Sequence, residues 1–173
     1  MSTDDALLRT TDAWGRPVLE DGPRFGPLDG DETSWPATDM LVLTDDDVVT
    51  CATGFARAFS SEYFFTIWLI AVGEDGWTTK AVAELLDLPR LPPPSHLVRR
   101  MLREMTAGLL EVSPGATVVA AIAHPDGGDR GMREVAWTQA LVEQAPGCGL
   151  SLRGVVSVGA HRARLLRSTG AGP

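Results

Sequence analysis

Hydrophobic positions along this chain follow two rhythms, with an opening stretch that follows neither. Val48, Val49, Ala52, Phe55, Ala56 and Phe59 recur at helical spacing and predict a first helix over 45–59. Thr44 precedes it as an N-cap, and Asp45, Asp46 and Asp47 sit in the first turn, where the helix dipole favours acids. Residues 63–72 are too β-branched and aromatic for a surface helix and predict a strand buried on both faces. Glu74-Asp75-Gly76 turns the chain, and residues 77–82 return as a hairpin partner. Leu91-Pro92-Pro93-Pro94 is a stiff connector, after which Ser95 is expected to cap a second helix. Its apolar stripe is Leu97, Val98, Met101, Leu102, Met105, Leu109 and Leu110, and Pro114-Gly115 stops it. Residues 117–122 form a second buried strand, which ends in a polar, glycine-rich loop over 123–131. A third helix over 132–144 closes at Pro146-Gly147, and residues 150–158 and 161–166 predict a hairpin turning at Gly159-Ala160. The expected fold is α/β: a mixed β-sheet covered by helices, in the order α-β-β-α-β-α-β-β and without internal repeats.

The rhythm starts only near residue 44. Before it, residues 1–43 form an acidic, Gly/Pro-rich arm with turn signals at Asp21-Gly22-Pro23, Gly26-Pro27 and Asp29-Gly30. Irregular or short-strand structure is expected there, with Trp14, Phe25 and Trp35 as anchors to the body over 44–173. Charge follows the same division. Residues 1–50 hold twelve acids against three arginines, whereas the rest is nearly balanced, so the overall −8 belongs to the N-terminal third. An acidic arm on a neutral body disfavours a nucleic-acid partner. From Leu150 onward there are four arginines (Arg153, Arg162, Arg164 and Arg167) and no acid, an excess suited to an anion or to pairing with the arm. No run of eighteen apolar residues predicts a membrane span, and the acidic start of the chain does not resemble a secretory signal. Cys51 and Cys148 stand far apart in no metal or redox spacing, which suits a reducing, cytoplasmic setting.

Candidate chemistry concentrates in the 123–131 loop, because ligands in such sheets bind beyond the carboxyl ends of strands. Three readings of it stand side by side. Gly127, Gly128 and Gly131, with Arg130 or Arg133, could present amides and charge to a small anion or nucleotide at the start of the third helix. His124 could be a metal ligand or general base. Or His124 bonds to backbone and the glycines serve a tight turn. No GxGxxG, P-loop or Gly-x-Ser-x-Gly pattern is present. Glu62, at the entry of the first strand, is either a solvated carboxylate or a base.

Glu62 leading into residues 63–70, then Ile122-Ala123-His124-Pro125-Asp126-Gly127, then Thr138-Gln139-Ala140-Leu141 and Val155-Val156-Ser157-Val158-Gly159, together resemble the JAB/MPN (JAMM) domain superfamily in its RadC-type bacterial form. The resemblance covers roughly residues 44–168 and leaves the arm outside. Active members of that family are zinc hydrolases of peptide or isopeptide bonds, with two histidines and an aspartate on the metal and a glutamate activating its water. By this resemblance Glu62 matches the glutamate and His124 the second histidine. Ile122 stands where the first histidine would be, Gly131 where a serine would be, and Glu134 where the aspartate would be. A catalytic zinc needs about three protein ligands and an open position. The resemblance therefore implies a domain degenerate in its zinc ligands.

The expectation is a non-catalytic JAB/MPN-like protein-interaction or scaffold domain without a cofactor, with a protein partner and a homodimer left open. Two alternatives accompany it. One is a metal-dependent hydrolase with a rearranged site, in which Glu62, His124 and Glu134 meet around zinc, with Asp126 or Asp129 completing the set. The other is a small anion- or nucleotide-binding protein using Gly127, Gly128, Arg130 and Gly131.

Overall fold

The computed structural model describes residues 25–26, 40–59 and 65–169. Its elements in chain order are β1 (Phe25–Gly26), α1 (Asp45–Phe59), β2 (Thr66–Val72), β3 (Thr78–Leu85), α2 (Ser95–Val112), β4 (Thr117–Ala123), α3 (Met132–Gln144), a short 3-10 turn (Pro146–Cys148), β5 (Ser151–Val158) and β6 (Ala163–Ser168). The strands form one mixed sheet in the order β1-β3-β2-β4-β5-β6. Only β4 and β5 run parallel; every other pairing is antiparallel. The chain thus has the mixed α/β architecture that its hydrophobic rhythm predicts.

Alternation along the strands divides the core in two. Ile67, Leu69, Ala71, Val118, Ala120, Ile122 and Val155 face Val98, Leu102, Met105 and Leu109 of α2 and Trp137 and Leu141 of α3. Trp68, Ile70, Val72, Val119, Ala121, Val156 and Val158 face Val48, Cys51, Ala52, Phe55 and Ala56 of α1. Both faces are covered, which is why the central strands are apolar at every position instead of at every second one. Helix α1 begins with a reciprocal cap. The Asp47 amide donates to Thr44 Oγ1 at 3.2 Å, and the Thr44 amide donates to Asp47 Oδ2 at 2.8 Å.

Several boundaries differ from the sequence expectation. Strand β3 runs on to Leu85, because pairing of Trp68 with Glu84 and Ile67 with Leu85 outweighs the weak strand preference of Ala83 and Glu84. Strand β6 ends at Ser168, two residues beyond the expected hairpin arm, where Ser168 pairs with Gly154. Ser95 is the first helical residue and not a cap. Pro94 holds the cap position at φ −48°, ψ 145°, and no side chain bonds there. The proline run delivers an extended backbone directly into the helix, and Pro94 O accepts from the Leu97 and Val98 amides. At the other end of the chain, β1 pairs with β3 at Phe25–Ala83 and Gly26–Val82. Val42 is fully buried in the α1-side core, and the Leu41–Trp77 bridge ties residues 40–43 to the β2–β3 hairpin. Trp14 and Trp35 lie outside the described residues, as do residues 60–64 at the expected start of the first strand.

Candidate functional site

The parallel pair β4–β5, joined through α3, gathers four element ends at one rim of the sheet. These are the C-terminal ends of the β4–β5 pair, the start of β2, where Thr66 pairs with Ala123, and the N-terminus of α3. The 124–131 loop lies across that rim. His124 follows directly on β4, and its amide donates to Val158 O at 3.1 Å, so the loop stays anchored to β5 as it leaves the sheet.

Most of the loop's donors are engaged within the protein. The Asp126 amide donates to His124 Nδ1 at 3.2 Å, and the Gly127 amide donates to His124 O at 2.8 Å. The Gly128 amide donates to Ser157 Oγ at 2.8 Å, and the Arg130 amide to Asp129 Oδ1 at 3.0 Å. Ser157 is fully buried in β5 and holds the loop down from beneath. Gly128 sits at φ +89°, and a β-carbon there would lie against the Arg162 backbone and 2.7 Å from Arg162 Cγ.

Helix α3 brings the charged groups. Glu134, in its first turn, is 4% exposed. Its carboxylate is held by Arg133, whose Nε and Nη2 both donate to Oε1, at 3.1 and 3.0 Å. The Arg133 guanidinium lies 5.0 Å from the Phe65 ring centroid, and Phe65 meets Trp137 edge-on at 6.0 Å. Trp137 is fully buried and donates Nε1–H to Pro89 O at 3.1 Å. Burial pushes the His124 imidazole below its ordinary pKa, and the Arg133 charge pushes it further, while Asp126 and Glu134 pull the other way.

The sequence-derived site residues thus divide. His124 and Glu134 share one electrostatic neighbourhood with Asp126 and Arg133. Asp129 and Arg130 point to another part of the surface: Asp129 pairs with Arg162 and Arg164, and Arg130 reaches Leu166 O. Gly127 and Gly128 spend their amides inside the fold, and Gly131 holds the cap position of α3, with the Glu134 carboxylate folded against it. Glu62 lies outside the described residues. Ile122 is buried in the α2/α3-side core. Sequence reasoning missed Phe65, Trp137, Pro89 and Ser157 as supports of the site. Only Ser157 carried a signal, as the one polar residue in the apolar run 155–158 at the end of β5.

Of the candidate metal donors, His124, Asp126, Asp129 and Glu134 lie within the described residues and Glu62 does not. Among the described residues, no three His, Cys, Asp or Glu side chains come together as a metal group. The buried Glu134 carboxylate is already paired with the Arg133 guanidinium. No protein-family model matches the chain, and no curated protein or solved structure matches it. Among the described residues no helix is long and apolar enough to cross a membrane.

Proposed function

We propose that this chain is a non-catalytic, JAB/MPN-like α/β domain that works through contacts with another protein. The observation that supports this reading is the Arg133–Glu134 pair beside His124. A divalent ion there would have to compete with a guanidinium already bound to the carboxylate, inside a site walled by Phe65 and Trp137. Ile122 adds an aliphatic side chain where the family resemblance calls for an imidazole. The free thiols of Cys51 and Cys148 agree with a reducing, cytoplasmic setting.

The test is the metal content of full-length protein purified without chelator. The expected result is zinc far below one equivalent per chain, unchanged in His124→Ala. Near-stoichiometric zinc that disappears in His124→Ala overturns the reading and restores the hydrolase alternative.

A further inference from the structure

We infer that the outer edge of β6 is a docking edge, which takes an extended acidic segment of a partner protein as an added strand. This rests on the contact-module reading and specifies the partner's chemistry.

Strand β6 ends the sheet, and among the described residues no strand pairs with its outer side. Half of its backbone N–H and C=O groups therefore face outward, as a template for strand addition. Register fixes which side chains flank that template. Ala163 and Leu165 stand opposite Val158 and Val156, on the α1 face. Arg164 and Arg167 stand opposite Ser157 and Val155, on the α2/α3 face. Arg162 extends the row, and Arg130 reaches over it to Leu166 O at 3.5 Å. The guanidiniums thus line one side of the edge.

The row already binds carboxylate. Asp129 places Oδ1 at 3.0 Å from Arg164 Nη1 and Oδ2 at 3.2 Å from Arg162 Nη1, so two guanidiniums share one acid. The Arg130 backbone amide, with the Arg164 and Arg162 guanidiniums, holds the Asp129 carboxyl below its usual range. Arg167 has no acidic partner among the described residues. An extended segment with acids at alternate positions sets them about 7 Å apart on one face, the pattern needed to meet such a row.

Other occupants fit less well. A second copy's β6 would bring arginines against arginines, which the edge opposes. Phe25 and Gly26 of the chain's own arm pair with β3, at the opposite edge of the sheet. The exposed arginines of α2 are partly spent, Arg99 on Gln144 and Arg100 on Glu104.

The probe is a synthetic six-residue peptide alternating threonine and glutamate, titrated into full-length protein at low salt. Its binding is expected to slow amide exchange in β6, and to be lost when lysine replaces glutamate or when the peptide backbone is N-methylated. Arg164→Glu should weaken binding about tenfold or more, as expected for a lost charge-assisted contact. Asp129→Ala should tighten it several-fold, because the internal competitor is gone. Both side chains are exposed, and unchanged melting temperatures confirm that both variants remain folded. No binding, protection that appears on α2 instead of β6, indifference to Arg164→Glu, or weaker binding by Asp129→Ala overturns the inference. Zinc content separates the two proposals. A zinc-free chain that ignores the peptide removes only the docking edge, and a zinc-loaded chain that binds it removes only the non-catalytic reading.

Discussion

The surroundings of His124 shift its titration toward the neutral form. Its Nδ1 lone pair accepts the Asp126 amide, which leaves the ring proton on Nε2, and a second proton would break that bond. Burial and the neighbouring Arg133 charge both oppose protonation. The folded-state pKa is therefore below the ordinary 6.5. Between those two values the unfolded chain binds a proton that the folded chain does not, so stability falls as pH drops through that window and is fully present above it. Urea midpoints measured from pH 8 down to pH 5 should fall for the wild type. His124→Asn, which cannot titrate, should flatten that part of the curve. Parallel losses in both proteins would show that other groups carry the acid sensitivity. The histidine itself was legible in the sequence, as the first polar residue after an apolar run. Its arginine neighbour was legible only as a charge near a helix start. That Arg133 turns inward to grip Glu134 and stack on Phe65 depends on how α3 meets β2, which no local pattern encodes.

At the scale of elements, the 124–131 loop depends on one left-handed residue in close contact and not on glycine content as such. Gly128 and Gly149 both have positive φ, +89° and +73°. A β-carbon at Gly149 meets nothing within 4 Å, whereas at Gly128 it collides with the backbone of Arg162. Gly149→Ala should therefore cost only the left-handed backbone penalty, about 1 kcal/mol. Gly128→Ala should cost about 2–4 kcal/mol, since backbone must also shift and the bond to Ser157 is strained. Equilibrium denaturation of the two variants checks the ordering; equal costs would mean that the loop relaxes freely away from β6. Helix existence was clear in the sequence because Val48, Ala52, Phe55 and Val98, Leu102, Met105, Leu109 repeat at helical spacing and do face the core. Ends were less clear. Ser95 has the residue type of a cap, but the proline run ahead of it supplies the helix entry instead. Ala83 and Glu84 are poor strand formers that β2 nonetheless pairs.

For the whole molecule, uniform apolarity in β2 and β4 announced burial on both faces, and so helices on both sides of a sheet. Strand order was not announced. That β4 lies between β2 and β5, and that it runs parallel to only one of them, comes from pairings between distant segments that leave no periodic trace. The order nonetheless has a measurable consequence. Strand β4 is hydrogen-bonded on both sides along its length, with Val118–Ile122 almost wholly buried between α1 and the α2/α3 layer. Strand β6 is paired on one side only, carries a register shift against β5 between Val155 and Val156, and is mostly half-buried or exposed. Local opening follows hydrogen bonding and burial, so amides of β4 should exchange only through global unfolding, while outward amides of β6 exchange through small fluctuations. Native-state hydrogen exchange across a denaturant series should give β4 protection that tracks global stability and β6 protection that is nearly independent of denaturant. If β6 instead opened only with the global transition, the edge would be as firmly held as the centre of the sheet. An edge strand unpaired on its outer side, backed by a rigid β4, lets an incoming acidic segment add hydrogen bonds without disturbing the core.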